Sequence, residues 1–261
     1  MLIMSYTEDW KTTNQEDANM ARIGTMTTKT IESKYVKEEI QVKIFSPKHF
    51  NSLYPNQVCY MQDGDDYFQM GRIATLSDQL HEEEVLVNTT FVGIHYKDRA
   101  DRLRKYHPDG EIFAAYQLFL LEEVMPVLEE ILPLNPLGTF NSLMGDSLAG
   151  TFALVTSLKY PKTFENVIMQ SPLVDDSVFH ILEHYNRNLD RLQIYHSIGL
   201  KETAVKTSLG EVVDFVQPNH QLAEKIQQET HNYMYHTINE GNHTWKHWQK
   251  EMPDVLEKIL S

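Results

Sequence analysis

The sequence predicts an α/β fold: a mostly parallel central sheet with an N-terminal antiparallel hairpin at its edge and helices on both faces. Three observations predict it. Short apolar runs alternate with longer helical patterns, as expected of strands buried on both sides and joined by crossover helices. The first β signals, Thr27–Val36 and Glu39–Phe45, are instead rich in β-branched residues with partial alternation and a short gap, which predicts a hairpin. Finally, the apolar run from Asn141 breaks at Gly145, Asp146 and Ser147 and continues as a helix-forming segment, a strand–turn–helix signature.

The remaining elements follow in order. Strands are expected at Val58–Gln62, Phe91–His95, Asn141–Met144, Val167–Gln170, Leu192–Ile198 and Tyr233–Ile238. A helix over Phe113–Leu132 carries Phe113, Tyr116, Leu120, Val124, Val127, Leu128 and Ile131 near helical spacing, with a kink expected at Pro126. Leu148–Leu158 is small or apolar nearly all round, which predicts a buried helix. Val178–Tyr185, Asn219–Thr230 and Thr244–Leu260 complete the alternation. Residues 1–22 are polar and acidic without an apolar core, so they are expected to be a loose arm rather than a signal peptide. Residues 23–261 are expected to form one domain.

Composition narrows the function classes. The formal charge of −14 opposes nucleic acid and anionic membrane surfaces, and no basic patch offsets it. No stretch approaches the roughly 18 apolar residues of a membrane span, so no membrane insertion is expected. Cys59 is the only cysteine, which excludes an intrachain disulfide and fits a reducing, cytoplasmic address. Whether the chain forms a homodimer is left open.

Gly145, Ser147 and Ala149 match a nucleophile elbow, in which a serine occupies a strained turn between strand and helix. The positions two before and two after it must be small, and they are. The following helix would also present unpaired N–H groups where an acyl-transfer intermediate develops negative charge. The competing reading is an ordinary turn capped by a serine.

A serine hydroxyl needs a base within hydrogen-bond reach and a third group to orient that base. In α/β-hydrolases the chain order is serine, acid, histidine. The last strand runs into Asn239–Trp245, where His243 follows a glycine turn, so His243 is the candidate base and His247 its substitute. The acid should follow the Leu192–Ile198 strand. Glu202 is the first carboxylate there, with Glu211 and Asp214 as competitors in the same connection. Backbone N–H groups of Leu148 and of Asp65, in the turn after Val58–Gln62, are the candidate oxyanion donors. Asp66, Arg99, Arg102 and Tyr106 are candidate substrate-side residues, with solvated surface the competing role for the last three. His180, Glu183 and His184 match a five-residue zinc-peptidase pattern but lack a third ligand in context, so no metal is expected. Phosphate-binding glycine loops are absent, and no organic cofactor is implied.

These segments together resemble the putative esterase family of α/β-hydrolases, the group that contains esterase D, enterochelin-type siderophore esterases and mycolyltransferases. The resemblance covers about residues 35–260. It rests on Tyr60–Asp65; on Val92–Ile94 with Asp98, Arg99 and Tyr106–Pro108; on Gly145–Gly150 with Tyr160, Pro161 and Phe164; on Gln170 and Ser171; on Gly199–Glu202; and on Gly241–Trp245 with Trp248. It implies the α/β-hydrolase fold and a carboxylesterase-type serine hydrolase acting on a small-molecule ester, with nucleophile, acid and base at positions matching Ser147, Glu202 and His243. Asp65 departs from the apolar or amide residue that relatives often carry, and Asp66 adds a second carboxylate, a pair expected to disfavour anionic substrates. A siderophore trilactone esterase, an acyltransferase and a non-catalytic binding protein on the same scaffold are the alternative readings.

Overall fold

A computed structural model describes residues 23–261 apart from 52, 136, 208 and 209; the expected N-terminal arm lies outside the described residues. The expected hairpin is β1 (Thr25–Glu32) and β2 (Glu39–Ser46), antiparallel from Thr25 opposite Ser46 to Glu32 opposite Glu39. The other strands of the main sheet are β3 (Asn56–Gln62), β4 (Thr89–Ile94), β5 (Thr139–Asp146), β6 (Asn166–Gln170), β7 (Gln193–Gly199) and β10 (Tyr233–Ile238). Its order is β1-β2-β4-β3-β5-β6-β7-β10, with every pairing from β4 onward parallel. A separate two-stranded ribbon, β8 (Val205–Lys206) with β9 (Val212–Val213), interrupts the connection after β7.

The apolar strand runs are explained by burial on both faces. Along β3, Val58 and Tyr60 enter one core while Cys59 and Met61 enter the other. Leu143 and Met144 of β5, and Ile194 and Tyr195 of β7, divide in the same way, as the two-residue period of a strand requires. One face is covered by α3 (Arg99–Tyr106), α4 (Phe113–Phe119), α6 (Leu148–Lys159), α7 (Asp176–Tyr185) and α8 (Val216–Glu229). The other is covered by α1 (Gly64–Gln69), α2 (Ile73–Glu82) and α9 (Trp245–Leu260). Every residue of α6 from Leu148 to Leu158 is buried, as its all-round apolar sequence predicted.

The expected kinked helix over Phe113–Leu132 is instead three pieces: α4, a π-helical turn at Leu120–Val124, and α5 (Met125–Ile131) with Pro126 in its first turn. Proline cannot donate to the carbonyl four residues back, and the wider π turn absorbs that break without a free end. None of the described helices is long and apolar enough to cross a membrane.

The chain leaves β3 to form β4 on one side and returns to form β5 on the other, so the strand order reverses between β3 and β5. In open α/β sheets the crevice at the carboxyl ends of such strands is the binding site. Here those ends are Gln62–Asp63 and Asp146–Ser147.

Candidate active site

Ser147 sits between β5 and α6 with φ 52° and ψ −123°, a conformation that side-chain-bearing residues rarely adopt. The turn closes only because Gly145 has no side chain: a Cβ there would lie 2.3 Å from the Ala149 carbonyl carbon. Ser147 N–H donates to the Gln170 carbonyl at 2.8 Å, and its own carbonyl accepts from Thr151 N–H and Leu173 N–H. These bonds hold the strained serine in place.

His243 and Glu202 reach Ser147 from the far end of the sheet. His243 Nε2 lies 2.9 Å from Ser147 Oγ, and its Nδ1 lies 2.7 Å from Glu202 Oε2. Chemistry assigns the tautomer: Nδ1–H donates to the carboxylate, which leaves Nε2 to accept the serine proton. The other oxygen of Glu202 accepts from Ser171 Oγ at 2.7 Å and from Gly199 N–H at 3.0 Å. Trp248 Nε1–H in turn donates to Ser171 Oγ at 3.1 Å. The imidazole is packed between Phe215 and Trp248, with ring centroids 4.5 and 4.9 Å away. The two loops that carry Glu202 and His243 touch through glycine, since a Cβ on Gly199 would lie 2.5 Å from the Gly241 backbone. Asp214, the competing acid, instead accepts from Val216 N–H and Gln217 N–H at the start of α8. Glu211 is exposed, and His247 bonds the Asn242 backbone.

Leu148, the first residue of α6, lines the cavity beside Ser147. Asp65 occupies the first turn of α1, whose initial N–H groups have no partner within the helix. Its carboxylate, however, turns to the sheet edge, 2.5 Å from Lys43 Nζ and 2.9 Å from His95 Nδ1. The expected pair of site carboxylates is therefore not Asp65 with Asp66. It is Asp66, which lines the cavity and accepts from Tyr96 Oη at 3.2 Å, together with Asp146.

Two further expectations are corrected. Tyr106 is fully buried, its ring packed with Tyr116 and Phe152, and Asp63 N–H donates to its hydroxyl at 3.4 Å; it supports the turn after β3 and does not line the cavity. Arg102 is buried rather than solvated: Nε lies 2.7 and 3.0 Å from the two Asp63 oxygens, and Nη2 donates to the Asp146 carbonyl at 3.1 Å. Burial opposes its charge, but the adjacent Asp63 carboxylate overcomes this and raises its pKa. Sequence reasoning missed this Asp63–Arg102 pair, the place of Asp146 and the Ser171 bridge. Arg99 is exposed and lines the rim of the cavity.

Ser147 opens into a cavity of about 1080 Å³, at the upper end of the small-molecule range. Leu173, Val174 and Asp175 form one wall and the β8–β9 ribbon another. Of residues 175–191 only Asp175 lines the cavity, because Val178 and Leu182 of α7 are buried in the core beneath. Among the described residues no group of three or more His, Cys, Asp or Glu is placed to hold a metal ion, and Glu183 pairs with Lys225 at 3.0 Å.

Comparison with known proteins shows the family and the fold. Residues 33–259 match the model of the family described as Putative esterase. The chain belongs to that family. It is 37% identical over 239 residues to the uncharacterized protein YjcH of Bacillus subtilis (strain 168), an alignment covering 91% of this chain and 98% of YjcH. Among solved structures, the enterobactin esterase FES from Shigella flexneri aligns with a TM-score of 0.76 at 18% identity, over 93% of this chain and 60% of FES. A ferulic acid esterase aligns with a TM-score of 0.71 at 14% identity, over 92% of this chain and 98% of its own. At those identities the structures establish the shared fold, and family membership makes the chain an esterase-type hydrolase.

Proposed function

We propose that the protein is a serine carboxylic-ester hydrolase that works through an acyl-enzyme. The observation that carries this reading is the continuous hydrogen-bonded chain from Glu202 through His243 to Ser147, opening on a cavity large enough for a small or medium ester. His243 takes the Ser147 proton as the hydroxyl attacks the ester carbonyl, and Glu202 holds the imidazole and stabilises its cation. The N–H groups of Leu148 and Asp65 receive the oxyanion. His243 then protonates the departing alcohol, and a water activated by the same histidine releases the acid.

Hydrolysis of p-nitrophenyl esters from acetate to octanoate, compared with Ser147→Ala, tests this. The expected result is a loss of about 10⁴-fold or more in kcat for the variant, together with fluorophosphonate labelling of wild type alone. Wild-type rates in Ser147→Ala would overturn the mechanism.

A further inference from the structure

One of the two Asp146 carboxylate oxygens, Oδ1, is buried without a hydrogen-bond partner, although Asp146 is the residue immediately before the serine and lines the cavity. The side chain as a whole is only 7% exposed. An orphaned buried carboxylate oxygen is destabilising, and more so when charged, so its retention at this position calls for a compensating charge. The nearest cation does not serve. Arg102 spends its Nε and a 2.5 Å Nη2 contact on Asp63, leaving Nη2 4.0 Å from Asp146 Oδ2. Asp66 faces the same space with only the Tyr96 hydroxyl bonded to it. Three carboxylates thus share one guanidinium.

We propose that the Asp66–Asp146 end of the cavity binds an ammonium group, so that the preferred substrate is an ester carrying an organic cation within a few bonds of the scissile carbonyl. This rests on the serine-esterase reading above and adds the substrate class to it. A cation seated there supplies the countercharge that Asp146 lacks and the second partner of Asp66. The titration behaviour is consistent with it: burial first, and then the Asp63 charge, push both Asp146 and Asp66 above the ordinary carboxylate range, as happens where negative charge lacks a counterion. The rest of the wall points the same way. Among the described residues, eight carboxylates line the cavity against four arginines and lysines: Arg102 is held by Asp63 and Arg104 by Glu111, His107 faces Asp175, and the two cations left without a carboxylate, Arg99 and Lys206, are exposed.

The test compares isosteric charged and neutral esters on either side of the scissile bond. The acyl-side pair is p-nitrophenyl 3-aminopropanoate and p-nitrophenyl butanoate. The alcohol-side pair is acetylcholine and 3,3-dimethylbutyl acetate. The expected result is a kcat/KM ratio at least tenfold in favour of the cation in one pair, collapsing towards unity in Asp66→Asn and in Asp146→Asn. If Asp146→Asn does not fold, Asp66→Asn decides, since Asp66 is only half-buried. Neutral esters hydrolysed as fast as cationic ones in both pairs, or an unchanged ratio in Asp66→Asn, would overturn the subsite while leaving the esterase intact. Hydrolysis of none of the four above the Ser147→Ala rate would overturn both.

Discussion

Two polar clusters flank Ser147, and they are built on opposite terms. On the β7 and β10 side, Glu202 is buried with each oxygen bonded: one to His243, the other to Ser171 and the Gly199 N–H. On the β3 side, Asp63, Asp66 and Asp146 surround a single guanidinium, and one Asp146 oxygen has no partner. A satisfied network fixes geometry before any ligand arrives, whereas an under-satisfied one stores unfavourable electrostatics that a proton or a ligand of the right charge relieves. On the proposed reading the contrast divides labour within 1080 Å³ of cavity: one bank is set for chemistry, the other for choosing what is cut.

The largest way to break the comparison is to unbalance the satisfied bank. Glu202→Gln keeps the shape but offers His243 an amide in place of a carboxylate, which favours the wrong tautomer and no longer stabilises the imidazolium. We expect kcat to fall about 10³–10⁴-fold with little change in KM, read by steady-state kinetics on a p-nitrophenyl ester. Next in size is removal of the one cation from the other bank. Arg102→Met leaves Asp63 buried without its bidentate partner, and thermal or urea unfolding should report a loss of roughly 3–5 kcal/mol. A loss below about 1 kcal/mol would show that the carboxylates there hold their protons and need no counterion.

Behind the satisfied bank lies Glu251 of α9, which accepts from Gln170 Nε2, Ser197 Oγ and Tyr195 Oη. Burial nonetheless pushes its carboxyl up to about 7. A folded-state value above the unfolded one means that the native protein holds a proton the unfolded chain has released. Its contribution to stability is therefore present below pH 4.5 and is lost as pH rises through about 7. The unfolding free energy of wild type should decline between pH 5 and pH 8 by on the order of 2–3 kcal/mol relative to Glu251→Gln. Parallel curves for the two proteins would remove Glu251 as the source.

What the sequence made legible, and what it hid, follows the same division. The Ser147–His243–Glu202 contacts span almost a hundred residues, yet they were reachable because chain order and strand ends locate each loop at one edge of the sheet. The β3-side bank was hidden because it depends on helices that carry no clear apolar period. α3 reads Arg99–Tyr106 with charged residues in most positions, so nothing announced that Arg102, Lys105 and Tyr106 point inward. Asp65 and Asp66 are adjacent on α1, and neighbours on a helix point about 100° apart. One therefore faces Lys43 at the sheet edge and the other the cavity, a choice that no reading of the two letters could make without knowing the helix was there.

The finest probe of the satisfied bank is Ser171, which holds Glu202 Oε1 while receiving the Trp248 indole N–H. It sits just past β6 at φ 46°, in the left-handed region, with its N–H bonded to the Ser197 carbonyl, so the chain accepts an unfavourable backbone to aim this hydroxyl. Ser171→Ala removes one of three bonds to Glu202 and leaves the His243 and Gly199 contacts. If the bond only packs the loop, unfolding stability falls and kcat does not. If it orients the carboxylate, kcat falls about three- to tenfold at unchanged KM, because a carboxylate held by fewer donors supports the imidazolium less steadily. We expect the second result. The kcat-against-KM split, measured beside a melting curve, separates the two, and a fall in melting temperature with kcat intact would reduce Ser171 to a structural residue.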